Sequence, residues 1–522
     1  MSTMGLRRVA RAGGQGAACR GLRVIAVTVA GAGLLAAGCT AGPRGGSAAA
    51  SSPTAASPAT AASAAAAGSP AARAGGTDHC DPGTTCYTPA QLQVAYGIKP
   101  LLDRGIDGRG ETVVLPELAE TQLDPPLVTD LRQDMAGFDA LFHLPVARMR
   151  VVTTLAGASS PWLAFGEEVL DVELVHALAP DATLVILFLP STSLRNTPDA
   201  VAAAVAELRL GPALGSVMSI SAAGQIGGEH CVSRAQAGRV NAALQAAAGR
   251  GMTVVAASGD IGAAAYQCDL YSALTGTAPV APVKGVLLLA SDPLVLGAGG
   301  TSLTASHATG AWVSETAWGL ASGNPGNQGG SFQASGGGFS QLFARPGYQA
   351  GVPGIGATRG VPDVSADASD RTGVAVVFST GTQETVQSHG GTSASAPIWA
   401  ALIALADQYA GRHLGLVNPA IYQIARSPRY RQAFHDITTG NNTVQFPPAT
   451  ITGYQAAPGW DPVTGWGTPD AQVLIPLLAR LHASNFKHVT SITRLRGIAS
   501  KSKQVTVFRV LQLRSTRSEE SS

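Results

Sequence analysis

Four short apolar stretches, rich in β-branched residues, alternate with stretches of helical character. That alternation restricts the fold more than any other property of the chain. ETVVLPEL (111–118), ATLVILFLP (182–190), SVMSISAA (216–223) and MTVVAASGD (252–260) read as strands. Between them FGEEVLDVELVHALAP (165–180), DAVAAAVAEL (199–208) and RAQAGRVNAALQAAAGRG (234–251) read as helices. Strand–helix–strand succession predicts an α/β fold with a mostly parallel sheet and helices on both faces. Sites on such sheets gather at the carboxyl ends of the strands, which singles out Asp260 at the end of MTVVAASGD.

The chain has 522 residues, 45% of them hydrophobic, enough for a large core. Charged residues are only 13%, with 63 Gly and 32 Pro, as in a loop-rich globular chain with a thinly charged surface. A formal net charge of +2 gives no case for a nucleic-acid partner. Residues 1–39 read as an export leader: Arg7, Arg8, Arg11, Arg20 and Arg23 precede the apolar run VIAVTVAGAGLLAAG (24–38), which is short for a membrane span. The run ends in LLAAGC and resembles a bacterial lipoprotein box, which implies lipidation of Cys39 and anchoring on an outward-facing membrane surface. Ordinary cleavage nearby, giving a secreted protein, or an uncleaved anchor are the alternatives. Residues 40–77 are almost entirely Ala, Ser, Gly, Pro and Thr and read as a flexible stalk. Globular composition runs over 78–482, and 483–522 reads as a short basic tail. Outside the leader four cysteines remain, Cys80, Cys86, Cys231 and Cys268. In an exported chain these predict two disulfides, Cys80–Cys86 by proximity and Cys231–Cys268 by exclusion.

GGTSASAP (390–397) places Ser393 at the start of a long apolar helix, as a nucleophile would be placed. No histidine stands in a suitable motif. His389 is four residues before Ser393 in a turn, and His176 is rotated away from Asp171 on the same helix. Carboxylates are the other candidates: Glu167 and Asp171 are i,i+4 and share a helix face. Neighbouring carboxyls raise one another's pKa and hold a base poised in acid. A solvated acidic face is the plainer alternative.

GEEVLDVELVHALAP, VVAASGD, SGGGFS, RGVPDVSADAS and GGTSASAP, in that order, resemble the sedolisin family of serine-carboxyl peptidases, which have a subtilisin-like fold. CYTPAQLQVAYGI (86–98) is similar to the start of their catalytic domain, and PGWDPVTGWGTP (458–469) to its end. The resemblance implies Ser393 as nucleophile, Glu167 as general base, Asp171 as its partner and Asp260 as oxyanion donor. Glu168 is the alternative base should the register be shifted by one. It also implies one structural Ca²⁺, held by the carboxylates of Asp436 and Asp461 and the carbonyls of Ile437, Ala457 and Gly459. The expected activity is acid-optimal hydrolysis of proteins or peptides by a monomer, as an endopeptidase or a tripeptidyl-peptidase. A peptide-binding lipoprotein on the same fold is the rival. Two positions depart from the family: a Trp is common near Ala222 and a Ser near Ile261. Only the leader and stalk precede Asp78, where these peptidases usually carry a folded propeptide. The expectation is folding without it, its supply in trans, or reduced competence.

Overall fold

The computed structural model describes residues 86–119, 129–153, 163–164, 166–190, 197–221, 227–265, 268, 283–319, 333–380, 383–446 and 449–481. Cys39, the stalk, Cys80 and the basic tail lie outside the described residues. The central sheet has eight strands. In chain order these are β1 (Thr112–Ala119), β2 (Arg148–Thr153), β3 (Thr183–Pro190), β4 (Val217–Ile220), β5 (Thr253–Ala257), β6 (Leu296–Ala305), β7 (Trp312–Ala317) and β8 (Val364–Asp367). Their spatial order is β7-β6-β5-β4-β1-β3-β2, with β8 also paired to β6. Every pairing is parallel except β6 with β7. The expected subtilisin-like α/β architecture is therefore the one observed. A two-stranded antiparallel ribbon, β9 (Val374–Thr380) with β10 (Gln383–His389), follows the sheet and leads directly toward Ser393.

All four residues of β4 and all five of β5 are buried, so both faces of the sheet are covered. The helices that cover the sheet and frame the site are α1 (Gly166–Leu178), α2 (Thr197–Leu210), α3 (Arg234–Ala248), α4 (Thr392–Ala410) and α5 (Ala471–Arg480). α4 crosses β4, β5, β6 and β8 and packs between α1 and α5. Its residues from Thr392 to Asp407 are all buried, as its all-round apolar sequence requires. α2 and α3 pack on one another and against β3 and β5. β1 contains Pro116, which a central strand tolerates only where no ladder donor is needed. Among the described residues β4 pairs with β1 at Val113 and Val114 and not beyond.

Candidate active site

Ser393 is the second residue of α4 and is 4% exposed. The turn before it needs glycine. Gly391 has φ of 84°, and a Cβ on Gly390 would stand 2.5 Å from the Ala368 carbonyl and the Asp370 nitrogen. The Gly391 N–H donates to the Ala368 carbonyl at 2.6 Å, which locks the entry to the helix. Backbone N–H groups in a first helical turn have no intrahelical acceptor and face outward with the positive end of the helix dipole.

α1 delivers the acids. Glu167 and Asp171 lie one turn apart, and the Ser393 hydroxyl lies beside the Glu167 carboxyl and favours its ionised form. Asp171 is fully buried behind Glu167 and accepts from Ser221 Oγ at 2.8 Å. A third acid joins them: Glu117, 2% exposed near the carboxyl end of β1, hydrogen-bonds Asp171. Burial is the first cause that raises the pKa of each of these three carboxyls, well above the ordinary range for Glu167 and Glu117. Neighbouring carboxylates push the same way; Asp171 acts on both Glu167 and Glu117, and Glu168 on all three. The arrangement is a buried group of acids in which Asp171 hydrogen-bonds Glu117 and acts on Glu167 through its charge, with a serine hydroxyl at the Glu167 end. The position facing Ser393 is Glu167; Glu168 is buried beside it.

The histidines are turned elsewhere. His389 contacts Gln387 Oε1 at 3.3 Å and packs on the Phe378 ring, and burial lowers its pKa to about 4. His176 is buried against Asp139, with 2.9 Å from Nε2 to Oδ1.

Asp260 follows β5 and reaches Thr392 from the other side. Its Oδ1 accepts from the Thr392 N–H at 2.7 Å and from the Thr392 hydroxyl at 2.8 Å. The Gly259 N–H closes the ring onto Thr392 Oγ1 at 3.0 Å. Burial raises the Asp260 pKa, while the Thr392 donors oppose the rise. Both donors fall on one oxygen, which leaves Oδ2 to carry the proton. The SGGGFS segment is seated against this turn. Ala334 N–H donates to the Asp260 carbonyl at 2.8 Å and Gly336 N–H to the Gly259 carbonyl at 2.6 Å. A Cβ on Gly336 would lie 2.2 Å from the Ser258 oxygen, so the approach requires glycine there. Thus the four candidates, Glu167, Asp171, Asp260 and Ser393, converge although they come from three separate elements.

Over 399 residues the chain is 36% identical to kumamolisin from Bacillus sp. (strain MN-32), in a match that takes in 74% of this chain and 62% of kumamolisin. Over 244 residues it is 34% identical to sedolisin from Pseudomonas sp. (strain 101), covering 46% of this chain and 37% of sedolisin. The chain belongs to the sedolisin family. It spans about three fifths of the length of kumamolisin and less of sedolisin. The solved structure of Pseudomonas sedolisin, a serine-carboxyl proteinase complexed with two molecules of pseudo-iodotyrostatin, shares the fold. It superposes with a TM-score of 0.58 at 24% identity, over 76% of this chain and 99% of that one. No family model matches the chain.

The carboxylates expected to hold calcium lie around one short loop. The Gly459 N–H lies 3.0 Å from Asp436 Oδ1, and the Ala457 N–H lies 3.2 Å from Asp461 Oδ2. Both carboxylates therefore meet the one short 457–461 segment, with Ile437 next in chain to Asp436. The donors on them are backbone N–H groups and hydroxyls, from Tyr430 to Asp436 and from Thr464 to Asp461, and none is a cation. Asp436 and the buried Asp461, with no cationic side chain among these partners, offer carboxylate oxygens of the kind a hard cation takes. Cys231 and Cys268 form the expected disulfide, with Cα atoms 5.0 Å apart. Cys86 is also disulfide-bonded; its expected partner, Cys80, lies outside the described residues. Ala222 lies outside them as well, and Ile261 is buried in a small cluster with Ala264, Ala334 and Val444.

Glu117 and Ser221 were missed in the sequence. Glu117 left one signal: a lone carboxylate in TVVLPELA, inside a strand otherwise fit for burial, calls for a partner. Ser221 left none, since a serine at a strand end is ordinary.

Proposed function

We propose that this protein hydrolyses peptide bonds in acid by a serine-carboxyl mechanism. The observation that carries the proposal is the Ser393 hydroxyl resting on the Glu167 carboxyl, with Asp171 and Glu117 behind it and both neighbouring histidines engaged elsewhere. Ser393 Oγ attacks the scissile carbonyl carbon and passes its proton to ionised Glu167. Glu167 later returns that proton to the leaving amine, and water repeats the sequence to release the acyl group. Asp171 holds Glu167 in place and shares its proton with Glu117, so charge is spread over several buried oxygens. Asp260 donates from Oδ2 to the developing oxyanion, with the Ser393 N–H at the helix start as the second donor. Such a donor works only while protonated, and burial keeps Asp260 protonated above the usual carboxyl range. Glu167 must ionise, which sets the acid limb, and Asp260 must stay protonated, which sets the alkaline limb and holds the optimum in acid.

Support for a peptide substrate comes from the relatives' names. Tripeptidyl-peptidase 1 from Homo sapiens, 31% identical over 270 residues that cover 48% of this chain and 41% of that one, stands beside kumamolisin and sedolisin. One Ca²⁺ held by Asp436, Ile437, Ala457, Gly459 and Asp461 would supply charge neutralisation and rigidity to the 457–467 loop. That loop braces Ser335, whose Oγ donates to the Val463 carbonyl at 2.6 Å. The leader and paired cysteines support export, and LLAAGC supports a lipid anchor at Cys39. No described helix is long and apolar enough to cross a membrane.

The test is hydrolysis of acid-denatured protein from about pH 3 to about pH 8, with Ser393→Ala and Glu167→Ala beside the wild type. Activity peaking in acid and lost in both variants is the expected result. A folded wild type that cleaves nothing at any pH overturns the proposal and leaves a peptide-binding protein.

A further inference from the structure

The helix that carries Ser393 contains a proline at Pro397. Proline has no N–H, so the carbonyl four residues earlier, that of Ser393, has no helical donor. A buried carbonyl needs another one. Ser221 Oγ meets it at 3.1 Å, and the same oxygen lies 2.8 Å from Asp171 Oδ1. Ser221 is the residue after β4 and is 5% exposed. One hydroxyl proton thus faces two acceptors: the backbone of the nucleophile and the second acid of the run.

We propose that Ser221 is a positioning residue for the reaction proposed above, and the inference rests on that reading. Its hydroxyl ties the Ser393 backbone to Asp171 and supplies a neutral donor that stabilises negative charge on the acid run. The other groups acting on that run are acids: Glu117 from β1, Glu168 from α1 and, at Glu167, Asp260 from the end of β5. Glu168 and Asp260 oppose the first ionisation; the Glu117 carboxyl, as a hydrogen-bond donor to Asp171, favours it there, as do the hydroxyls of Ser221 at Asp171 and Ser393 at Glu167. The sequence couples the two sites through Pro397. Were an N–H present there, the Ser393 carbonyl would be satisfied within the helix and the Ser221 proton would go to Asp171 alone.

The experiment is the pH profile of kcat and kcat/KM for wild type, Ser221→Ala, Ser221→Thr and Pro397→Ala, with near-ultraviolet circular dichroism to establish folding. For Ser221→Ala the expected result is a loss of about tenfold in kcat with KM nearly unchanged. Its acid limb should move up by about one pH unit, because the first ionisation has lost a donor. Ser221→Thr keeps the hydroxyl and should keep the wild-type limb. Pro397→Ala should move the limb the opposite way, to lower pH. It also decides the matter if Ser221→Ala does not fold. An unmoved limb in Ser221→Ala and Pro397→Ala, or equal impairment of the Ala and Thr variants, overturns the inference while the peptidase reading stands. A wild type without activity, or one whose activity survives Ser393→Ala, overturns the peptidase reading and the inference with it.

Discussion

Two buried acid sites in this molecule are built in opposite ways. Asp363, fully buried just before β8, accepts from five donors. Arg359 Nη1 and Nη2 lie at 2.8 and 2.6 Å, the Tyr422 hydroxyl at 2.8 Å, Asn418 Nδ2 at 3.0 Å and the Gly297 N–H at 2.9 Å. Arg359 is itself fully buried, so the pair forms a salt bridge with no solvent contact. The Glu117–Asp171–Glu167 run has three buried acids and, among the described residues, no cation as a hydrogen-bonding partner and the hydroxyls of Ser221 and Ser393 as its neutral help. At Asp363 the fold has matched the charge and made a fixed joint between the 359–363 turn, β6 and the helix at Asn418–Ala425. At the run it has left the charge unmatched, so protons must reside there and can be moved. An unmatched buried acid costs stability and gains reactivity.

The contrast is sharpened most by Glu167→Gln. Hydrolysis should fall about 10⁴-fold, as for loss of a triad base, while stability in acid changes by less than about 1 kcal/mol, because Gln resembles the protonated acid. Activity assay and urea unfolding at the same acid pH measure both. Arg359→Met should do the reverse: about 3–5 kcal/mol of stability is lost because Asp363 is left buried and unpaired, seen as a lower urea midpoint. Equal effects of the two variants on stability would erase the distinction.

Next in size is the dependence of stability on pH. Burial raises Asp134 and Asp292 to about 6, Glu207 to about 7 and Asp407 to about 8. In the unfolded chain these groups titrate near pH 4. Between those values the folded state binds more protons, so stability must fall as pH rises from about 4 to about 8. Urea midpoints that rise over this range would contradict it. The smallest expected effect is at Glu117. Glu117→Leu removes the donor to Asp171 and should cost about tenfold in kcat, whereas Glu117→Gln retains a donor and should cost less.

Much of this was legible in the sequence, and the exceptions have physical causes. The strands 111–118, 182–190 and 252–260 and the helix around Glu167 were visible because apolar spacing alone specifies them. Of the strand expected over 216–223, Val217–Ile220 form β4 and Ser221 turns toward Asp171, while Ala222 and Ala223 lie outside the described residues. β6, LGAGGTSLTA, was not foreseen because its glycines read as loop. They serve close packing instead: a Cβ on Gly299 would meet Pro362 at 2.6 Å, and one on Gly300 would meet Ala368 at 2.6 Å. At the site, Glu167 and Asp171 were readable because four residues is one helical turn. Glu117 was not, because it is more than fifty residues from Asp171 and no spacing rule spans strands. The Ser393–Pro397 spacing stood in plain view, but its meaning required the partner that fills the vacant carbonyl.

The central claim is that the buried run holds protons at pH values where ordinary carboxyls have lost them. Infrared difference spectra in the carboxylic C=O stretching region, wild type minus Glu167→Gln and wild type minus Glu117→Gln, measure this directly between about pH 4 and about pH 7. The expected result is a protonated-carboxyl band that persists above about pH 6 in the wild type and loses intensity in each variant. Complete loss of the wild-type difference band by about pH 5 would show ordinary carboxylates and contradict the account.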